Sequence, residues 1–138
     1  MAEPDNTAIV KSIYEAFSRG DIESILGQLA HNVEWVVPGH EDGIPYAGTY
    51  HGADGVGAFF SALGEAVVYD QFEPLRFVAQ GDQVAVFGRY HGTIKTNARE
   101  VETMWAMEWT LSDGKVTGFR VYEDTATIAA GFAFPASA

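Results

Sequence analysis

From Val68 to Asp124 the chain reads as four long runs of alternating side chains cut by turn signals, a pattern that few architectures satisfy. The runs are 68–79, 84–96, 100–111 and 115–124, separated by Gly81-Asp82, Asn97 and Ser112-Asp113-Gly114. Gly, Asn and Asp tolerate the backbone of tight hairpins, so consecutive runs are predicted to pair as an antiparallel meander. Side-chain parity then assigns the faces. In the run 100–111, Thr103, Trp105, Met107, Trp109 and Leu111 share one face, which is core or pocket, and Glu102, Met104, Ala106, Glu108 and Thr110 share the other. By the same rule Phe119, Val121 and Glu123 oppose Arg120, Tyr122 and Asp124, and Val84, Val86, Gly88 and Tyr90 oppose Ala85, Phe87, Arg89 and His91. Arg89 and Arg120 on the outer side are expected to pair with Glu102 and Glu108, across strands or across a subunit contact.

The first half of the chain has a different period. Ile9, Val10, Ile13, Tyr14, Ala16 and Phe17 make one helical stripe over residues 7–18, with Gly20 placed to close the helix in a left-handed cap. Asp21 fits the N-cap of a second helix whose stripe is Ile22, Ile25, Leu26 and Leu29. Residues 33–37 read as a strand with Val33, Trp35 and Val37 on one face, ended by Pro38-Gly39. Residues 38–52 form a long connection rich in aromatic and ionisable groups, a length more often functional than decorative. Val56, Phe59, Phe60 and Leu63 recur at helical spacing, so a third helix is expected from about Asp54 to Gly64 despite Gly55 and Gly57. The Ala-rich end after Asp124 is a short helix or a loose tail. The resulting fold class is α+β: three N-terminal helices on a strongly curved antiparallel sheet that encloses one apolar pocket, with residues 1–138 forming a single domain.

Composition agrees with a packed interior. The chain has 138 residues, 47% of them hydrophobic, with nine Phe, six Tyr and three Trp. Eight Lys plus Arg against nineteen Asp plus Glu give a net charge of −11, which repels phosphate backbones and anionic membranes. No Lys or Arg occurs between Arg19 and Arg76. A ligand docking near that half is therefore expected to be neutral or cationic. Without cysteine there is neither a disulfide framework nor thiolate chemistry. No signal-type start and no run long enough to span a membrane is present, which reads as a cytoplasmic protein.

Several of these pieces in order carry a family resemblance: Gly20-Asp21-Ile22-Glu23 between two helices, Trp35 with Pro38-Gly39, Tyr50-His51-Gly52 before the third helix, Asp113-Gly114-Lys115-Val116, and Arg120-Val121-Tyr122-Glu123-Asp124. Over residues 7–125 the chain resembles the SnoaL-like and ketosteroid-isomerase-like branch of the nuclear-transport-factor-2-like superfamily. The resemblance implies a cone in which a bent sheet and helices enclose a pocket, with many members dimerising through the sheet's outer face. It also implies what is missing. The proton-shuttling aspartate of ketosteroid isomerases falls on Val37, their oxyanion-hole tyrosine near Ile13, and the acid supporting it near Met107, so that activity is rejected. The pocket aspartate of the related epoxide hydrolases falls on Val121.

Among the remaining groups His40 is the leading proton carrier, since it follows Val37 at the expected pocket mouth beside Glu41 and Asp42, and imidazole titrates nearest neutral pH; otherwise it is an exposed loop histidine. Tyr14 and Tyr50 are the further catalytic candidates, as hydroxyls able to donate to a carbonyl or enolate oxygen, or else aromatic packing. The expected pocket wall comprises Trp35, Val37, Phe59, Tyr90, Trp105, Met107, Trp109, Phe119, Val121 and Glu123, with plain core the rival for the tryptophans. Glu123, at a strand end, is expected as a solvated rim carboxylate rather than a tuned base. Four scattered histidines make no metal site. The function expected is a polyketide-cyclase or isomerase/dehydratase type of enzyme acting without cofactor on a flat hydrophobic ketone or enol; a non-catalytic binding domain for a small hydrophobic ligand is the alternative. A homodimer is expected through the outer face carrying Phe87, Met104, Ala106 and Tyr122, which would otherwise be an apolar patch.

Overall fold

The computed structural model describes residues 5–40 and 42–135. Its elements are α1 (Asn6–Ser18), α2 (Ile22–Leu26), β1 (Leu29–Val37), β2 (Gly48–His51), α3 (Gly52–Ala66), β3 (Val67–Gln80), β4 (Gln83–Ile94), β5 (Glu100–Ser112), β6 (Lys115–Glu123) and α4 (Thr125–Ala133). The alternating runs become β3 to β6 and pair antiparallel in sequence order. Positive φ at Gly81, Asp113 and Gly114 supplies the reversals that the turn residues anticipated.

Strand order is β2-β1-β6-β5-β4-β3. One feature departs from the antiparallel expectation: β1 runs parallel to β6. Parallel neighbours need a long crossover, and here everything from β2 to β5 supplies it. The second helix is also shorter than its stripe suggested. Leu29 opens β1 and lies opposite Val116 of β6, and the Val116 N–H donates to the Gln28 carbonyl at 2.9 Å, so tertiary pairing captures residues that helical spacing had assigned to α2. Within the long connection, residues 48–51 add an edge strand to β1, which no alternation announced.

Register shifts interrupt β1 between Leu29 and Glu34, and β3 between Tyr69 and Gln71 and again between Pro74 and Arg76. Each extra residue bends and twists its strand, which curves the sheet around the helices. Caps then position those helices. The Asp5, Asp21 and Asp124 carboxylates accept backbone N–H groups of Ala8, Ser24 and Thr127 at 3.2, 3.2 and 3.0 Å, as N-caps do. Gly20 adopts φ 70° after α1. The C-terminal stretch is helical rather than loose, because Asn97 Nδ2 donates to the carbonyls of Gly131 and Phe134, both at 2.9 Å, and ties α4 to the turn between β4 and β5. The buried set runs from Val10, Ile13 and Tyr14 of α1 through Val33, Trp35 and Val37 to Trp105, Trp109 and Phe119 inside the bend. On the outer face Arg89 pairs with Glu73 at 3.2 Å instead of with Glu102 or Glu108; Arg120 stands in register with Glu108, as cross-strand parity required, without closing an ion pair. Among the described residues no helix is long and apolar enough to cross a membrane.

Candidate functional site

Inside the bend lies a cavity of about 70 Å³. The bend points one face of β1, β5 and β6 at α1 and α3, so parity alone brings Trp35, Val37, Met107, Trp109, Phe119, Val121 and Glu123 to one wall. Phe59 of α3, Tyr90 of β4 and Tyr14 of α1 complete the predicted lining that the structure brings together. Trp35 stacks on Phe119 with ring centroids 3.9 Å apart and meets Trp109 edge-on at 5.6 Å. A wall of interlocked rings of this kind is stiff and almost wholly apolar.

Three predicted residues lie elsewhere. His40 is exposed and absent from the lining; its carbonyl accepts the N–H groups of Gly43 and Ile44 at 2.9 and 2.7 Å, so the chain turns there and carries the imidazole outward. Its neighbour Glu41 lies outside the described residues. Tyr50 stands behind the wall, where its hydroxyl donates to the Tyr46 carbonyl at 2.8 Å and its ring packs edge-on against Phe59. Trp105 also backs the wall, stacked on Tyr14 and Phe72, whose rings do reach the cavity. Gly88 opposite Trp105 makes this possible, because a Cβ there would collide with the indole and with the Glu73 carbonyl oxygen.

Tyr14 reaches the cavity with its hydroxyl already occupied. It accepts from Trp109 Nε1 and donates to Met107 Sδ, both at 3.0 Å, and burial raises its pKa. It is a strut between α1 and β5. The carboxyl of Glu123 behaves differently from the solvated rim group expected. Its half-buried side chain lines the cavity, and desolvation there pushes its pKa up to about 7. Tyr46 and Tyr69 gather at the same end, with the Tyr69 ring edge-on to Tyr90 at 4.9 Å, and burial raises the pKa of all three phenols. They are thus O–H donors at any ordinary pH. The cavity is an aromatic box with one tunable acid and three hydroxyls at one end.

Sequence reasoning missed Tyr46, Tyr69, Phe72, Phe17 and Phe60, all of which line the cavity. Tyr69 and Phe72 have opposite parity, and only the bulge between Tyr69 and Gln71 turns both inward. The aromatic density of residues 46–72 was the available signal. Tyr14, Phe17, Tyr69 and Phe72 also line an open groove between α1 and β3, so these four rings partition groove from cavity. No Lys, Arg or His lines the cavity, and no cluster able to hold a metal ion occurs, both among the described residues.

A bent sheet wrapped with helices around such a cavity defines the nuclear-transport-factor-2-like class of proteins. The model of the SnoaL-like domain family matches residues 10–119, and the chain belongs to that family. Among solved structures it is similar to a nuclear-transport-factor-2-like protein of Burkholderia xenovorans LB400, at 36% identity over 96% of this chain and 98% of that one, with TM-score 0.85. A second relative of this kind, from Burkholderia thailandensis E264, is 31% identical over 93% of this chain and 97% of its own, with TM-score 0.84. TerC, co-crystallised with polyporic acid, is 27% identical over 92% of this chain and 97% of its own, with TM-score 0.82. No curated protein matches the sequence.

Proposed function

We propose that this SnoaL-like protein is an acid–base enzyme of the polyketide-cyclase or isomerase/dehydratase type, acting on a flat hydrophobic ketone or enol, with Glu123 as its proton carrier. The observation that carries this reading is a carboxyl held near pKa 7 inside an aromatic box. A base is most effective when its pKa lies near the working pH, and burial supplies that match here. Ionised Glu123 removes a proton from carbon beside the carbonyl: the C–H bond breaks, the carboxyl O–H forms, and the electron pair moves onto the substrate oxygen as an enolate. The protonated acid then returns the proton at another position. Tyr90 and Tyr46, at the same end, offer O–H donors to the charge that develops. That TerC was co-crystallised with polyporic acid supports an organic small-molecule ligand for this protein.

The cavity of about 70 Å³ is smaller than the ~150 Å³ that accepts a benzene ring. Binding therefore includes movement of the partition rings. The experiment is a pH–rate profile on a fluorescent aromatic ketone. Turnover by the wild type rises with pH through about 7 as Glu123 loses its proton. Glu123→Gln removes that limb and lowers the rate by roughly 10²-fold or more, and His40→Gln leaves both unchanged. An unaltered profile in Glu123→Gln overturns the assignment. The alternative reading, a binding domain, is favoured by apolar Ile13, Val37 and Met107 in the lining; tight binding without turnover in either protein would establish it.

A further inference from the structure

A one-residue bulge decides which rings separate the cavity from the groove. Tyr69 stands in register with Gly92 and Gln71 with His91, so Asp70 is the extra residue of β3. Tyr69 and Phe72, on either side of it, both line cavity and groove, although residues three apart on a regular strand face opposite ways. Gly92 lets the bulge sit close, because a Cβ there would press on Val67 Cγ1 and on the Val68 carbonyl oxygen. The Asp70 carboxylate meets Nδ1 of His91 on β4, and Nε2 of the same ring meets the Glu100 carboxylate of β5 at 3.0 Å.

An imidazole donates from both nitrogens only when protonated; neutral, it keeps one N–H and turns a lone pair toward the other carboxylate. Charged His91 therefore clips β3 to β5 across β4, and its neutral form loses one of the two bonds and sets a lone pair against an anion. The charged groups around it are Asp70 from β3, Glu100 and, in register with it, Glu102 from β5, and along β4 Arg89, which is engaged by Glu73. This setting favours the cation: the Asp70 hydrogen bond raises the His91 pKa, and the same bond lowers that of Asp70. The clip is complete below the ordinary histidine value of 6.5 and is lost as pH rises through the higher value of the folded chain.

We propose that His91 is a positioning residue for the partition between groove and cavity: by holding the bulge residue Asp70 it keeps the Tyr69 and Phe72 rings across the passage, and loss of its proton loosens them. This goes beyond the acid–base reading of Glu123 and needs neither turnover nor a particular ligand. Access to the cavity then rises with pH, in the same direction as the ionisation of a carboxyl base inside it. The His91 and Asp70 side chains are 25% and 68% exposed, so the effect is severalfold rather than orders of magnitude.

The test is acrylamide quenching of tryptophan fluorescence, since Trp35 and Trp109 line the cavity. It is run from about pH 6 to about pH 9, a range that brackets a histidine raised above 6.5. Glu123→Gln is the background, because it removes the cavity carboxyl that titrates in the same range. Quenching is expected to rise roughly twofold to fivefold with pH, the equilibrium shift that one exposed ion pair supplies. Adding His91→Gln, which is neutral throughout, holds quenching high at every pH. Adding His91→Arg instead, which keeps a cation between the two carboxylates, holds it low, and that rescue separates charge from packing. If the His91 variants do not fold, proton magnetic resonance of Glu123→Gln decides the matter: the ring signals of Tyr69 and Phe72 shift with the midpoint of the His91 imidazole signal. Quenching independent of pH in Glu123→Gln, a rise that survives His91→Gln, quenching as high in His91→Arg as in His91→Gln, or ring signals that ignore the His91 titration overturns the proposal. Turnover enters none of these readouts, so loss of the Glu123 assignment leaves this one standing, and a pH-independent partition leaves that of Glu123 untouched.

Discussion

Glu123 shows how a single residue can be set against the stability of its own fold. Its pKa in the folded protein, about 7, lies above the ordinary carboxyl value of 4.5 because burial penalises the ion. Between those values the folded chain binds more protons than the unfolded one, so stability falls as pH rises. The stabilising contribution of the neutral acid is complete below about 4.5 and is lost as pH rises through about 7. Glu123→Gln, which cannot ionise, is therefore expected to match wild type near pH 4 and to exceed it at pH 8 by roughly 3 kcal/mol, the equivalent of the shift from 4.5 to about 7. Urea midpoints of both proteins at the two pH values check this, and a constant difference would place the carboxyl in solvent. Tyr14 illustrates the opposite use of a polar group. With its hydroxyl accepting from Trp109 and donating to Met107, it fixes the wall and has no proton to spare for a substrate.

At the scale of elements, the junction of α1 with β3 controls how the cavity meets solvent. Phe17 of α1 lies 5.0 Å from Phe72 of β3 between ring centroids, and Tyr69 lies 5.4 Å from Phe72. Both phenylalanines are half-buried, so the partition has groove on one side and cavity on the other. Phe72→Ala is expected to open the passage. Its cost in stability should be about 2–3 kcal/mol, below the 3–5 kcal/mol of a fully buried phenylalanine. The sharper readout is acrylamide quenching of tryptophan fluorescence, which should rise because Trp35 and Trp109 line the exposed cavity. Unchanged quenching would mean that these rings only pack. The bulged backbone of β3 matters here, since without the shift between Tyr69 and Gln71 one of the two rings would face outward.

For the whole molecule, the outer face of the sheet is the unresolved surface. Phe87, Ala106 and Tyr122 stand in one row across β4, β5 and β6, and Met104 lies on the same outer face of β5. Phe87 is 37%, Tyr122 50% and Met104 65% exposed. An apolar row on a chain of net charge −11 is a surface that a second copy would cover. We expect a twofold dimer through this face in sedimentation experiments at tens of micromolar, about the range where modest interfaces assemble. Met104→Glu should convert it to a folded monomer with unchanged cavity chemistry. A wild-type monomer under those conditions would remove the expectation.

The sequence by itself determined the meander, the inward faces of β1, β4, β5 and β6, the cap residue Asp21, and about half of the aromatic wall. Strand parity and capping are local: period and turn chemistry decide them within a few residues. What only the tertiary structure decided depends on how distant segments meet. Leu29 fits a helical stripe until β6 pairs with it; Tyr69 and Phe72 share a face only through a bulge; His40 turns outward on a local reversal that composition does not reveal. Glu123 carries the same lesson for chemistry. Parity placed it inward, but a strand end reads as solvated until Tyr46 and Tyr90 crowd against it. Burial is a property of everything packed around a group, and it is burial that moves this carboxyl to about 7.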